Sequence, residues 1–270
     1  MGSEGKQLSM VASAIALRGV RLFLTAGRAA AERHPPPPAP VAPRPKPKLK
    51  PVVIGSRPPQ KVFDTLLKTT KFNKAELEAL YTMYRKLVTA AQAAAPTTAI
   101  GHPPKIDGID QSTFRDVMHN TFDLVTEEAI LERMWMTWER GAAGGEGSLK
   151  FESWVRGLSV LLRGNNEERR TYCFKVYDLN NDGHITKDEM FLLLRNALLK
   201  QPGDEDPDEG VRDLVELVLR KLDVDKDGRV SLEDYREAVE QEPLLLEAFG
   251  QCLPSKRHAT TFLKTLVTKT

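Results

Sequence analysis

The chain has 270 residues, of which 28% are charged and 41% hydrophobic, a composition typical of a soluble protein with room for two small domains. Its net charge of +2 conceals an uneven distribution, because residues 1–61 carry 11 basic and 2 acidic side chains and the remainder carries 28 basic and 35 acidic ones. This distribution argues against nucleic-acid binding and indicates two separate regions. No run of about 18 apolar residues is present, which excludes a transmembrane helix.

Residues 1–60 are a basic extension with two compositional parts. Residues 1–34 are rich in Ala and Arg, and residues 35–59 hold 11 of the 18 prolines. Proline fixes φ and lacks a backbone N–H, so we expect an extended, disordered spacer. A transit-peptide-like segment within residues 1–34 and a proline-rich peptide ligand at PVAPRPK are the alternatives.

From Lys61 onward the pattern is helical and predicts an all-α fold. In FNKAELEALYTMYRKL the apolar residues recur every three or four positions, and Asn73 with Glu76 predicts a capping box at the helix start. The segments FDLVTEEAILERMWMTW and SLKFESWVRGLSVLLRG continue with the same period. The two cysteines, Cys173 and Cys252, have no metal-ligand spacing, and Cys173 is expected to be a buried thiol in a reducing compartment.

Residues 178–189, DLNNDGHITKDE, carry an oxygen-bearing side chain at nearly every second position. Ca²⁺ takes about six to eight oxygen ligands, which a short loop supplies by winding around the ion. The predicted ligands are Asp178, Asn180, Asp182, the backbone carbonyl of His184, Thr186 through a water, and Glu189 with both oxygens. Gly183 stands at the sharp turn where φ becomes positive.

Residues 223–234, DVDKDGRVSLED, repeat this layout but end in Asp instead of Glu. The predicted ligands are Asp223, Asp225, Asp227, the backbone carbonyl of Arg229, Ser231 and Asp234, with Gly228 at the turn. Asp is one methylene shorter than Glu, which favours fewer ligands and therefore Mg²⁺ or weak Ca²⁺ binding. We expect the first loop to bind Ca²⁺ more tightly. Two such loops with matched flanking helices form the EF-hand pattern, in which Ile185 pairs with Val230.

Two further copies of this pattern lack ligands. Aligning the apolar residue that follows each turn gives Ile109, Leu149, Ile185 and Val230, at intervals of 40, 36 and 45 residues. The closing position of the first two copies holds Thr113 and Ser153, which cannot complete a Ca²⁺ shell. We expect a degenerate EF-hand pair in residues 61–165, a metal-binding pair in residues 166–242, and a short helix and tail in residues 243–270. Divergent metal sites in the first pair are the alternative.

The segment GLSVLLRGNNEERRTYCFKVYDLNNDGHITKDEM resembles the neuronal calcium sensor and potassium-channel-interacting branch of EF-hand proteins. The segment NALLKQPGDEDPDEGVRDLVELVLRKLDVDKDGRVSLEDY, followed by EQEPLLLEAFGQCLP, is similar to the calaxin family, the Ca²⁺ sensors of outer dynein arms. This resemblance covers about residues 61–254. It implies a cytoplasmic protein of the ciliary or flagellar axoneme that binds a dynein heavy chain and the docking complex or tubulin, and tunes beating with Ca²⁺.

The chain departs from that family in three places. The sequence ERGAAGGEG stands where the family has a ligand-bearing loop, which implies one lost metal site. The proline-rich extension and the final segment SKRHATTFLKTLVTKT are not typical of the family either.

The favoured function is that of a Ca²⁺-responsive binding protein in which helix opening exposes an apolar groove. The candidate groove residues, which otherwise remain core, are Met190, Phe191, Leu193, Leu194, Val215, Val218 and Leu219. PLLLEAFG, residues 243–250, is expected to cover the core as a lid. A constitutive structural component of the axoneme and a regulatory subunit of an ion channel are the alternatives. The five histidines are scattered and no catalytic grouping or phosphate-binding loop is present, so an enzyme is not expected.

Overall fold

The computed structural model describes residues 59–94, 108–139, 147–196 and 208–267. These residues form ten α-helices, a short two-stranded sheet and a 3₁₀ helix, which confirms the predicted all-α fold. The helices are α1 Gln60–Thr69, α2 Lys74–Ala94, α3 Gln111–Phe122, α4 Glu128–Glu139, α5 Phe151–Arg163, α6 Asn166–Tyr177, α7 Lys187–Leu194, α8 Glu209–Leu222, α9 Leu232–Gln241 and α10 Lys256–Val267. The strands are β1 His184–Ile185 and β2 Val230–Ser231, and the 3₁₀ helix is Pro243–Glu247. The predicted extension falls outside the described residues up to position 58.

Reciprocal side-chain caps fix the starts of several helices. The N–H of Glu76 donates to Oδ1 of Asn73, and the N–H of Asn73 donates to Oε2 of Glu76, both at 2.9 Å. This confirms the predicted capping box at α2. Asn165 and Glu168 form the same arrangement at the start of α6. The side chains therefore satisfy backbone donors that an uncapped helix would leave without partners.

The N-terminal lobe, helices α2 to α5, contains two helix pairs, α2 with α3 and α4 with α5, which one backbone bridge connects. The N–H of Ile109 donates to the carbonyl of Leu149 at 3.0 Å, and the reverse bond measures 2.7 Å. Behind this bridge the ring centroids of Phe114 and Trp138 lie 5.1 Å apart, and those of Trp138 and Trp154 lie 5.6 Å apart. The two residues that the repeat alignment makes equivalent thus pair with each other, and an aromatic core lies beneath them.

The C-terminal lobe, helices α6 to α9, repeats this arrangement with a two-residue ladder. Strands β1 and β2 are antiparallel, with His184 opposite Ser231 and Ile185 opposite Val230, as predicted for the second pair. Helix α7 packs against α8, and α6 packs against α9. The sheet consequently places the two oxygen-rich loops side by side.

The 3₁₀ helix and the residues after it cover the core of the C-terminal lobe. Phe249 is fully buried, and its ring centroid lies 5.1 Å from that of Tyr177. The hydroxyl of Tyr235 donates to the carbonyl of Leu246. Sγ of Cys252 lies 3.2 Å from Sγ of Cys173, and both thiols are buried, which confirms the predicted burial of Cys173. The segment therefore lies where a lid is expected.

Helix α10 packs on the N-terminal lobe rather than on the lobe that precedes it in sequence. Ala259, Phe262 and Leu266 are its buried residues, and it contacts α2, α3 and α5. The ring centroids of Phe262 and Phe122 lie 5.0 Å apart. The sequence predicted a tail after a short helix, and the structure adds a 12-residue helix that crosses back to the first lobe.

Candidate metal centre

The first oxygen-rich loop is held open by hydrogen bonds between its own residues. Gly183 has φ 90°. Its N–H donates to Oδ2 of Asp178 at 3.1 Å. Asn181 also adopts a positive φ of 59°. Oδ1 of Asp182 accepts the N–H of His184 at 2.9 Å, and this bond lowers the pKa of Asp182. The loop thus takes the tight turn that the glycine predicted.

Glu189 closes this loop from the first turn of α7. Its Oε1 accepts the N–H of Asn180 at 3.0 Å, across the width of the loop. Its Oε2 accepts the N–H and the hydroxyl of Thr186, each at 2.8 Å. Only 6% of Glu189 is exposed. Both of its carboxylate oxygens therefore lie against the loop backbone.

Asp178 supplies the observation that tests whether a cation fits this loop. The residue is 5% exposed, and its Oδ1 has no hydrogen-bond partner among the described residues. Burial raises the pKa of the Asp178 carboxyl above its ordinary range. A buried carboxylate oxygen without a donor is destabilising, and a hard cation removes the deficit. The donor set of this loop fits Ca²⁺.

The second loop concentrates negative charge more openly. Carboxylate oxygens of Asp223, Asp225 and Asp227 lie within 4.8 Å of one another. The N–H of Asp227 lowers the pKa of Asp225, but partial desolvation and the neighbouring carboxylates outweigh it, so the net pKa is raised. Gly228 has φ 91°, and its N–H donates to Oδ2 of Asp223 at 2.9 Å. Three carboxylates at this distance repel one another unless a cation lies between them.

Two features distinguish the second loop from the first. Oδ2 of Asp234 accepts the N–H of Ser231 at 2.9 Å and also its hydroxyl, and among the described residues its hydrogen bonds stay within this turn. Nε of Arg229 lies 3.1 Å from Oδ2 of Asp227, and the N–H and guanidinium of Arg229 lower the pKa of that carboxyl. A shorter closing side chain and a competing cation would both disfavour tight metal binding here, and the predicted order of affinity stays a prediction.

Known proteins are similar to this chain in sequence. A family model described as an EF-hand domain pair matches residues 167–240. The calaxin of Xenopus laevis is 44% identical over 204 residues, which cover 75% of this chain and 92% of that protein. The calaxin of Homo sapiens is 43% identical over 204 residues, which cover 75% of this chain and 90% of that protein.

The chain belongs to the calaxin family. A more distant relative is a calcineurin subunit of Candida glabrata, 26% identical over 183 residues, 67% of this chain and 90% of that protein. These matches support a calcium-binding EF-hand sensor, the coarse function that the sequence predicted. None of the helices in the described part of the chain is both long enough and apolar enough to cross a membrane.

Residues 95–107 and 140–146, which include most of the segment ERGAAGGEG, lie outside the described residues, and the described residues beside them differ from the C-terminal loops. Oδ1 of Asp110 accepts the N–H of Thr113 at 2.7 Å, so the side chain caps α3. Lys150 precedes α5 and makes no capping hydrogen bond through its side chain. Ser153, at the closing position of the second unit, is 3% exposed. The closing positions of this lobe hold a hydroxyl where Glu189 and Asp234 carry carboxylates.

The predicted groove of the C-terminal lobe is part of the core in this structure. Six of its seven residues are buried, namely Met190, Leu193, Leu194, Val215, Val218 and Leu219. Phe191 is half-buried and packs at the edge of the same core. The large exposed apolar side chain of α7 is Leu192, with 56% of its surface exposed. These residues are therefore covered in this structure and do not form an exposed groove.

Sequence reasoning missed one residue beside the first loop. Arg133 lies on α4 and is only 6% exposed, although the surrounding sequence AILERMWMTW is largely apolar. Its Nη2 donates to the backbone carbonyl of Asp178 and, at 3.1 Å, to Oδ1 of Asn181. The only signal in the sequence is a charged residue within an apolar helical repeat, which does not reveal its partner.

Proposed function

We propose that this chain is a Ca²⁺-responsive, non-catalytic adaptor of the outer dynein arm that tunes ciliary or flagellar beating from the cytoplasmic axoneme. The main support for Ca²⁺ binding is the buried Oδ1 of Asp178. This oxygen has no hydrogen-bond partner among the described residues, although the loop around it is rich in oxygen ligands. The axonemal part is supported by membership of the calaxin family over 92% of the Xenopus relative.

The proposed metal site in the first loop comprises Asp178, Asn180, Asp182, His184, Thr186 and Glu189. The proposed site in the second loop comprises Asp223, Asp225, Asp227, Arg229, Ser231 and Asp234. Ca²⁺ is the preferred ion, and Mg²⁺ suits the second loop because Asp234 reaches less far. A bound ion neutralises the carboxylates, while the side chains of Thr186 and Ser231 hold the closing residues in place.

The response to Ca²⁺ is proposed to be an opening of the C-terminal lobe. In sensor EF-hands the helices on either side of the loop change their angle when the ion binds, and apolar surface becomes exposed. Helices α6 and α7 flank the first loop, and the buried residues between α7 and α8 would form the groove. The proposed partners are a dynein heavy chain and the docking complex or tubulin.

Partner capture tests this proposal. Tagged full-length protein is incubated with axonemal extract in Ca²⁺ or in chelator, and a matched arm uses Glu189→Gln. The proposal predicts that capture of dynein heavy chain or docking complex changes with Ca²⁺, and that the variant behaves as the chelated wild type. Equal capture in both conditions contradicts a sensor role. Tagged protein that stays out of the axoneme of ciliated cells contradicts the assignment to the dynein arm.

A constitutive structural component of the axoneme is the second candidate, and one observation favours it. The face of the N-terminal lobe around Phe122 is covered by Phe262 of the chain's own helix α10. A lobe that is already covered, and whose closing positions lack carboxylates, needs no ion to complete its core. Under this candidate, the captured partners are the same in Ca²⁺ and in chelator, and Ca²⁺ raises only thermal stability.

A further inference from the structure

The first predicted metal loop, residues 178–189, is hydrogen-bonded to helix α4 of the N-terminal lobe. The two N–H groups of Arg133 Nη2, on α4, are shared among three acceptors in or beside this loop: the carbonyls of Lys175 and Asp178, and Oδ1 of Asn181. The bond to Lys175 measures 3.2 Å and the bond to Asn181 measures 3.1 Å. Asp178 is the first predicted ligand, so the guanidinium is bonded to the same residue that begins the loop.

The burial of Arg133 makes this connection stiff. With 6% of the residue exposed, water cannot readily replace an acceptor that moves away. A buried guanidinium that loses its acceptors is strongly destabilising, and its planar fork fixes the direction of each bond. A shift of the loop backbone must therefore displace the guanidinium, or the bonds must break.

Hydrogen bonds also connect helix α4 to α6 and to the end of α7, the two helices that flank the loop. Nε1 of Trp138 donates to the hydroxyl of Tyr172 on α6 at 3.3 Å. Nδ2 of Asn196, just beyond the end of α7, donates to Oε2 of Glu127, just before α4, at 3.0 Å. A change of angle between α6 and α7 therefore acts on α4 at both ends.

We infer that Arg133 is the positioning residue that transmits occupancy of the loop at residues 178–189 to the N-terminal lobe. This inference rests on the proposed Ca²⁺ site in that loop and adds a route by which a lobe without metal responds to the ion. Helix α4 packs against α5 as well as α6, so its displacement reaches the aromatic core of the N-terminal lobe.

The intrinsic tryptophans of the chain can report this coupling by fluorescence. Its three tryptophans are Trp135 and Trp138 on α4 and Trp154 on α5, all in the N-terminal lobe and all buried. The predicted metal ligands all lie in the C-terminal lobe. Tryptophan emission therefore reads the lobe that is not expected to bind Ca²⁺, and calorimetric titration reads binding directly.

The test variant is Asn181→Gly in the full-length chain. Asn181 has φ 59°, which glycine adopts without strain, so this change removes the hydrogen bond to Arg133 and leaves the loop backbone free to keep its conformation. The matched control is Lys226→Gly, because Lys226 occupies the same position of the second loop with φ 64°. Arg133→Met is the stronger variant, and Arg156→Met, which removes an exposed arginine paired with Glu152 on its own helix, is its control.

Each protein is titrated with Ca²⁺ and no partner protein. The change in tryptophan emission is compared between proteins at a Ca²⁺ concentration that calorimetry shows to be saturating. The expected result is an emission change in the wild type and in both controls, a smaller change in Asn181→Gly, which loses one of three acceptors, and a change reduced by about twofold or more in Arg133→Met. Ca²⁺ affinity of the first loop is expected to fall by about tenfold or less, so saturation is still reached.

The inference is overturned if the wild type binds two ions without any change in emission, or if Arg133→Met keeps the full change. It is equally overturned if Lys226→Gly loses as much of the change as Asn181→Gly. If Arg133→Met does not fold, Arg133→Lys takes its place, because lysine keeps the charge but lacks the planar fork that reaches the loop acceptors. Absence of Ca²⁺ binding in the calorimeter refutes the proposed function itself, which is a different result from binding without a response in the N-terminal lobe.

Discussion

The closing carboxylates of the two loops differ in reach, and this difference sets the expected order of affinity. Glu189 spans its loop to the N–H of Asn180, whereas the hydrogen bonds of Asp234 go to Ser231 in the same turn. Arg229 beside Asp227 adds a cation that a metal must displace or tolerate. A bound ion is therefore expected to be stabilised more by the closing residue of the first loop than by that of the second.

The matched amide variants Glu189→Gln and Asp234→Asn test this order. Each removes one negative charge from a closing residue and keeps its size. We expect Glu189→Gln to abolish or weaken the tighter Ca²⁺ site by about tenfold or more, and Asp234→Asn to affect only the weaker one. Isothermal titration calorimetry measures both, and a larger loss from Asp234→Asn would show that the ranking is reversed.

A second residue-scale contact stabilises the N-terminal lobe without any metal. The guanidinium of Arg163 donates to both carboxylate oxygens of Glu76, and the Glu76 side chain is only 5% exposed. The hydrogen bonds from Arg163, together with the N–H of Asn73, hold the pKa of Glu76 below its ordinary value of 4.5. The pair connects the start of α2 to the end of α5.

Glu76→Gln is expected to lower the free energy of unfolding by about 2–4 kcal/mol at pH 7, because it leaves Arg163 without its charged partner. A carboxyl whose pKa is lowered by folding stabilises fully above the unfolded value of 4.5, and loses that contribution as pH falls through the lower folded value. Urea unfolding at pH 7 and at pH 3 measures both effects, and the difference between wild type and variant should shrink at pH 3.

The control for this prediction is Glu152→Gln, which breaks the exposed pair with Arg156. Both side chains are more than one third exposed, so we expect a change of about 0.5 kcal/mol or less at either pH. A difference between Glu76→Gln and wild type that is as large at pH 3 as at pH 7 would show that the charge of Glu76 is not the source of its stabilisation.

Single residues are predictable from the sequence wherever their role depends on neighbours in the chain. Gly183 and Gly228 have the positive φ that the sequence predicts, because loop spacing alone determines where the turn must fall. The capping box of Asn73 and Glu76 involves residues three positions apart. The contacts of Arg133 join residues more than 40 positions apart, and a local pattern carries no information about them.

Among the elements, α10 makes the least expected contact. Its buried residues Ala259, Phe262 and Leu266 recur at intervals of three and four, and they cover part of α2, α3 and α5. The pattern alone predicts an amphipathic helix but not the surface that receives it. The 3₁₀ helix Pro243–Glu247 was likewise predictable as a covering segment, while its tighter winding was not.

Phe262→Ala tests the packing of α10. We expect a loss of about 3–4 kcal/mol or local detachment of the helix, because the ring is 9% exposed and packs on Phe122. Amide hydrogen exchange should become faster in α10 and in the facing part of α3. Val267→Ala on the same helix is the control, and as Val267 is 62% exposed its effect should stay within about 0.5 kcal/mol. Unchanged exchange in Phe262→Ala would refute the role of this contact.

At the scale of the whole molecule, two lobes built on the same repeat have different sources of stability. The N-terminal lobe is completed by the Ile109–Leu149 bridge, a partly buried ion pair and the chain's own helix α10. The C-terminal lobe retains two loops of carboxylates that repel one another in the absence of a cation. In the sequence, the residues at the closing position of the aligned repeats predicted this division. The packing of α10 across the lobes depends on tertiary contacts that the sequence pattern does not encode.

The stoichiometry of bound metal tests this division most directly. Native mass spectrometry of the full-length chain in Ca²⁺ should show two ions per molecule, one or fewer in Glu189→Gln, and none in the double variant Glu189→Gln/Asp234→Asn at limiting Ca²⁺. Wild-type protein that binds no ion, or more than two, would contradict the assignment of both metal sites to the C-terminal lobe.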